Sequence, residues 1–171
     1  MNAIGAIIMA VFATLWWIVG TAASGRGSLL TYATAVVISG IIIVIAQRLA
    51  GRTSGSPEEW ARRGRIVGIA SGVEGLMIFA AVNILANVGR RDLTAPIIAI
   101  IVGLHFVPLA YWFPARMYYV TSALLVGLGV VGMAVLDANA RLYGVSVASA
   151  CVLWLTCGVG LWTANRAGTE Q

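Results

Sequence analysis

The chain has 171 residues, 60% of them hydrophobic and only 10% charged, with a formal net charge of +5. A soluble domain carries about a quarter charged residues, so this balance excludes a water-covered surface and makes a bilayer the solvent for the apolar faces. All eleven basic residues are arginines spread between apolar blocks, not clustered on one soluble face as a nucleic-acid-binding protein requires.

Six apolar blocks follow one another, each long enough for a membrane-spanning helix. The first runs from Ala3 to Gly20 and ends in Trp16-Trp17, aromatic anchors suited to the headgroup level. Because Met1 to Trp17 carries no Lys or Arg, the run is read as a first span and not as a leader. A polar turn, Ser24-Gly25-Arg26-Gly27-Ser28, leads to the second block, Leu29 to Ala46. That block is rich in β-branched residues, which in water suggests a strand, but a charge-free run of this length needs a lipid-spanning helix.

The loop from Gln47 to Arg65 holds Arg48, Arg52, Arg62, Arg63 and Arg65. Within it Ser56-Pro57-Glu58-Glu59 fits a capping box, with Ser at the N-cap, Pro at the first helical position and Glu at the third. A short interfacial helix over 56–64 is expected, bent at Gly64 where it enters the third span. That span, Ile66 to Ala86, contains Gly68, Ser71, Gly72, Glu74 and Gly75. The spacings Gly68-xxx-Gly72 and Ser71-xxx-Gly75 predict close approach of a neighbouring helix. Arg90-Arg91-Asp92 forms the next turn. The fourth span, Leu93 to Phe113, includes Pro96, His105 and Pro108; the fifth, Met117 to Leu136, includes Ala123-xxx-Gly127, a second packing face. The sixth, Tyr143 to Trp162, holds Cys151 and Cys157, whose spacing on one helix forbids a disulfide and suggests two buried thiols.

The expected fold is therefore all-α, a single transmembrane domain of six helices over residues 1–171. Spans two and five align at an offset of 87, pairing Tyr32 with Tyr119, Thr34 with Thr121 and Gly40 with Gly127. One reading is a duplication into halves 1–87 and 88–171, three helices each, which makes the repeat inverted as in many transporters. The other is chance similarity between apolar segments drawn from few residue types. With six spans both termini share a side with seven arginines, against four opposite. That favours cytoplasmic termini in a multi-pass protein of the bacterial plasma membrane.

Two ionisable acid/base side chains lie deep within the spans, Glu74 and His105. A charge at that depth costs about 2.5–3.5 kcal/mol on insertion scales, so the groups must be neutral, paired or wetted. Consecutive antiparallel spans can bring them together. The functional reading is a proton relay or a site for a small solute or ion built from Glu74 and His105, with Ser71 one turn away. Pro108 contributes by freeing the Leu104 carbonyl beside the imidazole. The bland reading is a buried Glu–His contact that only fixes helix packing. The stretch Gly103-Leu104-His105-Phe106-Val107-Pro108-Leu109-Ala110 resembles a motif in small multispanning bacterial proteins of unassigned function. The resemblance implies that His105 and Pro108 belong to a family site and carries no activity with it.

No nucleophile elbow, phosphate loop or dinucleotide fingerprint argues for an enzyme. A lone histidine with no Cys/His cluster offers no metal site, and no cofactor is expected. The composition thus supports a small transporter or channel, homo-oligomeric through its small-residue faces and proton-linked through Glu74 and His105. The alternative is an accessory or scaffold protein without transport. A polar, water-reachable cavity at Glu74 marks the first, a dry contact the second.

Overall fold

The computed structural model describes residues 3–50, 56–113 and 116–167. Six helices occur in chain order, α1 (Ala3–Ala23), α2 (Leu29–Ala50), α3 (Pro57–Asn87), α4 (Thr94–Trp112), α5 (Arg116–Val135) and α6 (Ala138–Ala167), with one 3₁₀ turn at Arg91–Leu93 before α4. All six are long and apolar enough to cross a membrane, and the described residues form no strand. The all-α, six-span class is as the apolar blocks predict, and the protein is a multi-pass membrane protein.

Helix ends follow the local chemistry. α1 and α3 both stop at a glycine with positive φ, Gly25 at 70° and Gly89 at 71°. In each case the next amide reaches back five residues, Arg26 N–H to the Thr21 carbonyl at 2.9 Å and Arg90 N–H to the Leu85 carbonyl at 2.8 Å. This closes a Schellman cap, whose left-handed residue a side chain resists. At the start of α3 the Ser56 hydroxyl accepts from the Glu59 amide at 3.3 Å, with Pro57 opening the helix, so the serine N-cap of the predicted box is formed. Asp137 does the same for α6, accepting from the Asn139 and Ala140 amides at 2.9 Å each.

One boundary differs from expectation. Ser56 caps α3, and residues 57–64 are continuous with the rest of that helix, which runs without a break at Gly64 for 31 residues. A lone glycine such as Gly64 costs a helix about 1 kcal/mol, too little to break a ladder that continues on both sides. α4 likewise continues through Pro108 to Trp112, while Pro96 falls in its first turn, where the missing N–H has no partner to lose.

The chain divides into two compact units, with one boundary between α2 and α3 and the other inside α6 between Val145 and Ser146. This division does not follow the 1–87 and 88–171 halves of the sequence alignment. In the unit that combines α1, α2 and the later part of α6, a buried polar knot centres on Ser39. Its hydroxyl lies 2.6 Å from Thr14 Oγ1 and 3.0 Å from the Ala10 carbonyl, and accepts from Trp154 Nε1 at 2.9 Å. Trp154 also packs against Trp17 with ring centroids 5.4 Å apart. Cys157 is buried there, whereas Cys151 is exposed, a correction to the expectation that both thiols are covered.

The other unit holds α3, α4, α5 and the first turns of α6. α4 and α5 meet closely at glycines. A Cβ on Gly103 would stand 2.8 Å from Val126 Cγ2 and 2.9 Å from its backbone nitrogen, and one on Gly129 would stand 2.5 Å from the Pro96 carbonyl oxygen. At one end Arg141 donates to the Leu136 and Met133 carbonyls at 3.0 and 3.1 Å, capping α5, and pairs with Asp92, which also pairs with Arg90.

Candidate functional site

α3 is a sparsely buried helix; among its described residues only Glu74 and Leu85 are buried. A helix advances about 100° per residue, so positions 67, 70, 74, 78, 81 and 85 lie within one narrow sector, and all of them are buried or half-buried. This sector is the seam with α4, and it places the Glu74 carboxyl against His105. Nδ1 of His105 stands 3.6 Å from Oε2 of Glu74, and both side chains are about nine-tenths covered. The imidazole also interacts with the backbone carbonyl of Ala70, one turn earlier on α3. At 3.6 Å the pair is close enough for ionic attraction yet longer than a hydrogen bond. A carboxylate has about four acceptor positions, so His105 leaves it free capacity.

The pair opens into a cavity of about 470 Å³ lined only by α3 and α4. Two neighbouring helices make all of its walls, so it is a groove open along their outer side. Among the described residues of the lining, Glu74 and His105 are the ionisable side chains; the others are aliphatic apart from Met77, Pro108 and Trp112. His105, Pro108 and Trp112 share one face of α4 at i, i+3 and i+7. The lip is exposed, with Val73 at 54% and Leu104 at 50%, while Glu74 on the floor is 8% exposed.

The structure thus brings together three of the expected site residues, Glu74, His105 and Pro108. Ser71 is not among them. It lies about 60° round α3 from Glu74, on the flank of the seam away from the groove, and it is exposed. The expected packing residues make no close approach among the described residues. Gly68, Gly72 and Gly75 point away from the seam, and an added Cβ at any of them, or at Gly127, meets nothing within 4 Å. Ala123 is exposed. The close helix approach is made by Gly103, Gly129 and Gly132 instead. Small-residue spacing identifies a face that permits approach without identifying the face that is used.

Trp112 and Met77 were not expected in the site. Trp112 closes α4 and reads as an interfacial anchor; its seven-residue spacing from His105 was the available signal. Comparison with known families, curated proteins and solved structures gives no match.

Proposed function

We propose that this protein is a small proton-linked transporter whose working pair is Glu74 and His105, and whose solute enters the α3–α4 groove from the bilayer. The observation that carries this reading is the convergence of the chain's one histidine and a buried carboxyl within 3.6 Å at the floor of an open cavity. An acid and an imidazole in contact can hold or release one proton between them. The groove walls are apolar, so Glu74 does not stand in the polar, water-reachable cavity expected of an aqueous path; the transport reading that fits is a carrier for a membrane-dissolved solute, not a channel for a hydrated ion. Seven arginines on the side shared by both termini, against four opposite, favour cytoplasmic termini. The groove then runs from the arginine-rich cytoplasmic end of α3 toward the middle of the plasma membrane.

A second reading has its own support. Glu74 is one of two buried residues on the described part of α3, so the Glu–His contact also holds that helix to α4. Reconstitution in proteoliposomes with an internal pH-sensitive dye separates the two. A transporter loses solute-dependent proton movement in Glu74→Gln and His105→Gln while the purified variants keep their melting temperature. If both variants mainly lower thermal stability and proton movement persists, the contact is a packing lock.

A further inference from the structure

The groove is selective in the sign of charge it can accept. Among the described residues its lining contains one carboxyl and no lysine or arginine, so none of them complements an anion. The nearest basic residue on α3, Arg65, lies nine positions before Glu74, about 13 Å along the helix. At the mouth stands Trp112, 56% exposed, whose ring face attracts cations. A small inorganic cation is poorly served, because aliphatic walls cannot replace its oxygen ligands. A lipophilic organic cation sheds little water on entering, and the cavity volume of about 470 Å³ falls in the ~300–1,000 Å³ range of pockets that hold such molecules.

We infer that the α3–α4 groove binds lipophilic organic cations, which enter past Trp112, pair with the Glu74 carboxylate and displace the proton that Glu74 shares with His105. This rests on the reading of Glu74 and His105 as a proton-exchanging pair. The charge balance favours exchange. With one proton shared, the Glu74–His105 pair is neutral; releasing that proton to the aqueous buffer leaves one negative charge, which the incoming cation cancels. The net charge of the apolar site is then unchanged, so the cost of burying an isolated charge does not arise. The proton is the only species that departs, and no other reactant is needed.

Few other ionisable groups bear on Glu74. From α4 only His105 faces it; Tyr111 of the same helix is 75% exposed and outside the lining. Arg91 and Asp92 of the 3₁₀ turn lie beyond the far end of α3, and Glu58, Glu59, Arg62, Arg63 and Arg65 lie at its start.

Tetraphenylphosphonium and tetraphenylborate, near-identical in shape and opposite in charge, provide the test. Their binding to the detergent-purified full chain is measured by equilibrium dialysis against empty micelles. Titration calorimetry in buffers of different ionisation enthalpy counts the protons. The phosphonium should bind at least tenfold more tightly than the borate, release one proton per cation, and gain about tenfold in affinity per pH unit while the pair is protonated. Glu74→Gln should abolish binding, Glu74→Asp should keep pH-dependent binding, and Trp112→Leu should weaken it several-fold without changing the proton count. Equal binding of both ions, preference for the borate, no binding, or undiminished binding by Glu74→Gln overturns the assignment. If proton movement in proteoliposomes depends on Glu74 and the phosphonium does not bind, the cation assignment fails and the transport reading stands. Binding without proton release removes the exchange and the proton-linked reading with it.

Discussion

Ser39→Ala deletes the atom on which the polar knot of α1, α2 and α6 converges. Three contacts are affected, but not equally. The Ala10 carbonyl keeps a donor, because Thr14 Oγ1 also bonds it at 3.0 Å, and Thr14 loses only its neighbour. Trp154 Nε1 loses the acceptor to which it donates at 2.9 Å, on a side chain only 8% exposed. A buried donor left unsatisfied costs about 1–3 kcal/mol, and each remaining bond adds about 0.5–1.5 kcal/mol at most. The expected loss is about 2–3 kcal/mol. For a protein of this size that is roughly 4–12 °C in melting temperature. Thermal unfolding in detergent micelles, followed by circular dichroism, measures it. A double-mutant cycle with Trp154→Phe isolates the bond, because Phe has no N–H to strand; a coupling of about 0.6–1.7 kcal/mol is expected from such bonds in membrane proteins. A Ser39→Ala melting temperature within 1 °C of the parent, or a coupling indistinguishable from zero, refutes the reasoning.

Other substitutions probe other parts of the fold. Gly103→Ala forces a Cβ to within 2.8 Å of Val126 and should destabilise by about 1–3 kcal/mol. Gly72→Ala, with open space around it, should be neutral or gain up to about 1 kcal/mol; the same melting assay ranks the pair, and the reverse order would falsify the packing assignment. Asp92→Asn removes the carboxylate from Arg141 and should lower the melting temperature measurably, more at low salt than at high salt. A maleimide small enough to enter the micelle should label Cys151 well ahead of Cys157, as peptide mass mapping after a timed pulse would show, because only Cys151 is exposed.

The spans were legible because charge-free blocks longer than the hydrocarbon core leave the backbone one solution in lipid. α2 shows this most clearly, since its β-branched residues carry the opposite propensity and still form a helix. The N-terminal cap of α3 was legible too, because the capping box is a local, four-residue device. Its unbroken continuation was not, since Gly64 marks a weak point and nothing local says whether the ladder survives it. Glu74 and His105 stood out by cost alone, but depth and antiparallel order did not specify the flank of the seam on which the groove lies. Hence Ser71 was included and Trp112 was missed. Ser39 and Trp154, far apart in sequence and unremarkable in type, left no signal.

The chain contains a single histidine, so nitrogen-15 NMR of labelled protein in nanodiscs follows His105 without ambiguity. If Glu74 and His105 hold one proton between them, the titration midpoint of the His105 ring nitrogens must move when Glu74→Gln is made. A midpoint unchanged by that substitution, in a variant that keeps its fold, contradicts the pairing on which the proposed transport depends.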